Sequence, residues 1–218
     1  MEQGRLRYYA VFSYFLPLIV HFVIVRTADL IWVQAAGADS VNRGAGISVL
    51  ASAAGICVFV PWLKAEGNRR EKQLPEKRSG VWTGAAIACG AALSLLWGAA
   101  AVFFRLSEFF PDNPQESLFS ASLVLQILGP GLLAPVCEEL LFRGLMFRIW
   151  AREFGSRSGI LIVSLTFALY HGNPIQSLYA FPMGLAMQYF LEKGGSLACP
   201  AAFHMAANLT SIFTEALL

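Results

Sequence analysis

Charge is scarce in this chain: only 14% of its 218 residues are Asp, Glu, Lys or Arg, against roughly 25% in an ordinary globular domain, so a soluble fold is not the starting assumption. The four cysteines, Cys57, Cys89, Cys137 and Cys199, stand in or beside apolar stretches without metal or redox spacing, which leaves them as small hydrophobes. No His-Glu-x-x-His occurs, and no serine sits in a nucleophile elbow. Gly84, Gly90 and Gly98 lie among alanines and read as close helix packing rather than a phosphate loop. The net charge of +2 gives no sign of a nucleic-acid partner. The polar motifs are confined to residues 138–208 and have no counterpart in the N-terminal half, which speaks against the internal repeats of a transporter.

What the chain has instead is apolar length. Hydrophobic residues make up 56% of it, with a mean hydropathy of +0.58. Tyr8 to Val25, Ala45 to Leu63, Val81 to Phe104, Leu118 to Phe147, Gly159 to His171, Ile175 to Leu191 and Ser196 to Leu218 are candidate crossings, measured against the about 20 residues a spanning helix needs. The first, flanked by Arg5 and Arg7 and lacking a small-residue cleavage site, reads as a retained helix and not a signal peptide. Lys64 to Arg78, with Lys64, Arg69, Arg70, Lys72, Lys77 and Arg78, and the turn holding Arg148, Arg152 and Arg157 belong in the cytoplasm by the positive-inside rule. Ala28 to Arg43 and Arg105 to Glu116 balance acids against bases and suit the opposite side. The expected fold is all-α: one polytopic bundle of about seven transmembrane helices over residues 1–218, in a bacterial inner membrane with a cytoplasmic N-terminus. Arg26, Asp29 and Leu30 to Ala36 either extend the first helix or lie along the interface.

Against this background Glu138-Glu139-Leu140-Leu141-Phe142-Arg143 is out of place. On a soluble helix it would be a solvated face with an i,i+4 ion pair. Inside a bilayer each such charge costs about 2.5 to 3.5 kcal/mol on insertion scales, so three within six residues mark a working site. His171 and His204 stand in similar surroundings. Measured at 1.5 Å per residue from the inferred cytoplasmic ends, Glu138, His171 and His204 lie roughly 15, 18 and 12 Å deep, which points to one shared polar cavity. Glu139 with Arg143, Phe167 with His171, and His204 with Asn208 are i,i+4 pairs and share faces. His21 stands alone, reads as a packing histidine, and is expected to tolerate alanine. Gly129-Pro130-Gly131, Pro135 and Gly172-Asn173-Pro174 suggest helices broken around that cavity, since unwound backbone at membrane depth must be buried in protein or line a wet space.

Glu138-Glu139-x-x-x-Arg143, Phe167-x-x-x-His171 and Gly195-Ser196-Leu197 leading to His204-x-x-x-Asn208, in this order, resemble the CPBP family of CAAX proteases and bacteriocin-processing enzymes, also called Abi or type II CAAX prenyl endopeptidase-like proteins. The resemblance covers roughly residues 118–215, as a catalytic core, and implies amide hydrolysis. Desolvation makes a carboxylate in an apolar cavity a stronger base, and Glu138 is the residue expected to activate water. By the resemblance, His171 would bind the same water, His204 and Asn208 would steady the oxyanion, and Glu139, Arg143 and Phe167 would orient the machinery.

Two other readings stand beside this one. Glu138, His171 and His204 are also a three-ligand set for catalytic zinc, although a metal-free glutamate mechanism is preferred and no cofactor is expected. A transporter or immunity-type binding protein would likewise place ionisable groups at midplane. The expected partners are membrane lipid and a membrane-associated peptide: a prenylated C-terminus, a leader peptide or a sorting tail.

Overall fold

The computed structural model of the chain describes residues 2–67, 79–109 and 118–217. Arg69, Arg70, Lys72, Lys77, Arg78 and Glu116 lie outside the described residues, as do the side chains of Arg5 and Arg7. The described residues are mostly helix, with no strand among them: α1 Glu2–Ala36, α2 Arg43–Gly67, α3 Ser79–Phe103, the short α4 Leu106–Phe109, a continuous rod α5 Leu123–Phe154, α6 Ser156–Tyr170, α7 Pro174–Gly194 and α8 Ala198–Leu217.

Four of these helices, α1 from Ser13, α2, α3 and α5, are long and apolar enough to cross a membrane. Of the seven windows, the last three form shorter or more polar helices, and α6 is a 15-residue helix that starts at Ser156. The stretch Leu30 to Ala36 extends the first helix rather than lying apart from it. Apolar side chains pointing outward, such as Phe22, Leu30, Val81, Leu96 and Val102, are what a bundle solvated by lipid requires.

The rod is the axis of the bundle. Arg152 near its C-terminal end meets Glu66 near the end of α2 at 3.6 Å, and Ser122 N, just before its start, donates to Asn42 Oδ1 just before α2 at 2.8 Å. The rod and α2 therefore run parallel. Tyr14 of α1 packs on Trp150 with ring centroids 5.0 Å apart, so α1 runs antiparallel to the rod. Helix α3 lies along α8, and Gly90 is a point of direct backbone approach, where a Cβ would collide with the Phe203 carbonyl. Gly84 and Gly98 face open space, which corrects the expectation that all three glycines mark close packing.

The rod also departs from expectation. Gly129-Pro130-Gly131 and Pro135 read as breaks, yet the helix continues through π-helical turns at Ile127–Leu133 and Leu140–Met146. The amide of Ala134 reaches back five residues to the Gly129 carbonyl. One step on in that register, Pro135 has no N–H to give the carbonyl of Pro130. Asn208 of α8 supplies the missing donor, Nδ2 to Pro130 O at 2.8 Å. Such π turns inside α-helices are frequent at functional sites. A true break comes after Tyr170. Gly172 takes the left-handed φ of 66°, and Asn173 caps α7 by accepting from the Ile175 amide at 2.9 Å.

Candidate active site

The rod turns Glu138 and Glu139 toward α6 and α8 on adjacent positions with different surroundings. Glu139 and Arg143, one turn apart, are each 1% exposed, and Arg143 Nη1 donates to Glu139 Oε1 at 2.9 Å. The guanidinium continues across the bundle, with Nη2 donating to the Gly184 carbonyl of α7 at 3.1 Å. Its central carbon Cζ lies 4.5 Å from the centre of the Phe167 ring, a cation–π contact within the buried cluster. Gly184 packs so tightly on Ser164 of α6 that a Cβ would touch it at 3.0 Å. Arg143 thus fastens the rod to α6 and α7 at once.

His204, 3% exposed on α8, stands between the two acids. Its Nδ1 lies 3.3 Å from Glu139 Oε1, and its Nε2 lies 3.8 Å from Glu138 Oε2. The first distance fixes the ring. The second is too long for a direct hydrogen bond, and a water beside the two atoms is within reach of both. Glu138 Oε2 is enclosed and has no hydrogen-bond partner in the protein, although the Glu138 side chain as a whole keeps 16% of its surface accessible. Glu139 Oε2 is likewise enclosed and unpartnered, so what sets Glu138 apart is its accessible surface, 16% of the side chain against 1% for Glu139.

Phe167, buried at the centre, organises the rest: its ring meets His204 at 5.6 Å, His171 at 4.9 Å and Phe142 at 5.2 Å. His171 is half-buried at the C-terminal end of α6, and its Nδ1 lies 2.8 Å from the Phe167 carbonyl. It belongs to the cluster through Phe167 and makes no hydrogen bond to Glu138. Asn208, one turn beyond His204, has one of its two amide hydrogens on Pro130. The structure therefore gathers Glu138, Glu139, Arg143, Phe167 and His204 into one cluster, with His171 joined to it through Phe167 and Asn208 one turn beyond His204. Among the described residues no group of three His, Cys, Asp or Glu side chains gathers to hold a metal ion. Glu138, His171 and His204 as placed do not form the zinc set.

Two residues that the sequence did not place in the site adjoin the cluster, Tyr170 and the supposed packing histidine His21. Tyr170 precedes His171, and its hydroxyl lies 2.8 Å from Nδ1 of His21 on α1. Adjacency to His171 was the available signal for Tyr170, whereas His21 had none in the sequence. A separate open cavity of about 640 Å³ lies at the α1–α2 connection, lined by Arg26, Asp29, Asp39 and Arg43 among others, and holds none of these groups.

No curated protein and no solved structure matches the chain. A family model does match, over residues 120–210, the stretch that holds Glu138, Glu139, Arg143, Phe167, His171, His204 and Asn208. Over that stretch this integral membrane chain is similar to the type II CAAX prenyl endopeptidase Rce1-like family.

Proposed function

We propose that the chain is an intramembrane endopeptidase in which Glu138 activates a water against a peptide bond of a membrane-associated substrate. The observation that carries this reading is the unpartnered, enclosed Glu138 Oε2 facing His204 Nε2 at 3.8 Å, inside a cluster fixed by a buried ion pair. Glu138 takes a proton from the water as its oxygen bonds to the scissile carbonyl carbon, and the carbonyl oxygen becomes an oxyanion. Glu138 then passes that proton to the amide nitrogen, the oxyanion collapses as the C–N bond breaks, and the products are an amine and a carboxylic acid, whose own proton moves to the amine as the two separate. Glu139 holds the Nδ1 side of His204, which leaves Nε2 to face the reaction. The remaining amide hydrogen of Asn208 is the companion donor for the oxyanion. His171 also holds the water, which requires its ring to turn from the Phe167 carbonyl as substrate enters. No step is routed through a metal ion, and purified protein is expected to carry zinc well below one per chain by elemental analysis.

The family match supports a prenylated C-terminal peptide as one substrate class, with leader peptides and sorting tails as the others. The basic ends of α2 and α5 support a cavity facing the cytoplasm. A probe cysteine at Ser196 is then labelled from that side. The decisive experiment uses purified protein in proteoliposomes with a farnesylated peptide ending in a CAAX sequence and an unprenylated leader-type peptide, followed by mass spectrometry. Glu138→Gln keeps the shape but loses the base, and is expected to lower cleavage by a factor on the order of 100 or more while the protein still inserts and folds. Turnover retained in that variant removes Glu138 from the mechanism.

A further inference from the structure

His21 is the histidine that the sequence leaves without a task, and it belongs to the N-terminal half, outside the family match. It is 4% exposed, packs against Phe59 and Tyr170 at centroid distances of 5.9 and 5.6 Å, and shares the 2.8 Å hydrogen bond with the Tyr170 hydroxyl. Tyr170 is the last residue of α6. Its ring also lies 5.6 Å from Phe142 of the rod, so the residue before His171 is held from two sides.

That anchorage matters because of where His171 sits. It ends a helix, is followed by the left-handed Gly172, and has a single side-chain hydrogen bond, which folds back onto Phe167 of its own helix. Nothing in α6 itself points the imidazole at Glu138. The tie across to α1 fixes the terminal turn from outside. Gly55 of α2 lies against both the His21 ring and Cys137, the residue before Glu138, so the pair stands next to the rod at the reacting carboxylate and not at a distant seam. Two apolar side chains would pack α1 on α6 without desolvating an imidazole and a phenol.

We infer that His21 and Tyr170 are positioning residues of the active site: their hydrogen bond between α1 and α6 holds the last turn of α6 so that His171 can serve the water on Glu138. The inference rests on Glu138 being the base, and it revises the expectation that His21→Ala is tolerated.

Two readouts test it in the full-length protein. In proteoliposomes with a quenched-fluorescence farnesylated CAAX peptide, His21→Ala and Tyr170→Phe are each expected to lower kcat by on the order of tenfold, with KM changed less than about twofold, as misplacement of a catalytic group does. The double variant should fall no further than either single one. His21→Asn, whose amide occupies the place of Nδ1, should restore most of the rate. The second readout needs no catalysis: in a His171→Cys protein with Cys57 and Cys89 replaced by Ala, N-ethylmaleimide labelling at position 171 should rise severalfold on adding His21→Ala and not on adding His21→Asn.

If Glu138→Gln abolishes cleavage while His21→Ala leaves both kcat and labelling unchanged, the positioning role is wrong and the base stands. If Glu138→Gln cleaves like the unaltered protein, or the unaltered protein cleaves nothing, the base assignment fails, and labelling alone decides whether the tie holds position 171. Equal losses for His21→Ala and His21→Asn, with additive losses for His21→Ala and Tyr170→Phe, at constant labelling would reduce the pair to packing and overturn the inference.

Discussion

Two arginine–carboxylate pairs in this molecule close to the same distance and stand in opposite situations. Arg143 and Glu139 meet at 2.9 Å with 1% of each side chain exposed. Arg43 and Asp29 also meet at 2.9 Å, but 41% of the arginine and 13% of the aspartate side chain are exposed. The first pair lies in the rod at the centre of the bundle, and the second spans the connection between α1 and α2. Distance does not separate them. Burial does, because it decides what replaces a lost partner: water at the α1–α2 connection, and nothing in the core.

The largest effect is therefore expected at Arg143. Arg143→Met strands the Glu139 carboxylate among apolar neighbours and removes the donor to Gly184, a loss of about 3 to 5 kcal/mol of stability. Unfolding of the purified protein in detergent measures it. Replacing both members, Glu139→Leu with Arg143→Met, should recover much of the stability, since no lone charge remains. It should not recover cleavage, because His204 loses the oxygen at 3.3 Å that fixes its ring. A double variant as unstable as Arg143→Met would mean that the pair is held by something other than its own charge balance.

A smaller effect sharpens the same contrast within one helix. Gly90 of α3 touches the Phe203 backbone one residue before His204, while Gly84 on the same helix has nothing within 4 Å. Gly90→Ala should cost about 1 to 3 kcal/mol by forcing α3 and α8 apart, and should disturb His204 and so lower activity. Gly84→Ala should be neutral or slightly stabilising. Equal responses in thermal unfolding at the two positions would show that α3 is not seated on α8 at Gly90.

The contrast between the pairs also explains what the sequence discloses. The i,i+4 spacing of Glu139 and Arg143 is local, so their shared helical face could be read without a structure, and apolar windows located the helices for the same reason. The meeting of Glu138 with His204, 66 residues apart in the chain, depends on how α8 seats against the rod, and depth along two helices constrains only their level. The rod's continuity was illegible because two prolines ordinarily signal breaks. Here, a five-residue register and the distant amide of Asn208 absorb the missing donor. His21 was illegible for a related reason: its partner Tyr170 is 149 residues away, and an isolated polar residue in an apolar helix has no periodicity to reveal its neighbour.

The smallest effect is expected at Arg43, and its smallness follows from its surroundings. Arg43 gives Nε and Nη2 to Asp29 at 3.0 and 2.9 Å and Nη1 to the Ala38 carbonyl at 3.2 Å. Asp29 has a second cation within 3.6 Å in Arg26, itself 63% exposed, and the open cavity at this end admits water to all three. Removing Arg43 leaves Asp29 with Arg26 and solvent, so Arg43→Ala should cost only about 0.2 to 1 kcal/mol, and less as salt screens the site. Unfolding at low and high salt checks both statements. Removing Arg26 as well should cost more than the two single changes together, because only then does the carboxylate lose every cation. A loss at Arg43 as large as at Arg143, insensitive to salt, would mean that the α1–α2 connection is as dry as the core, and that exposure at this end does not distinguish the two pairs.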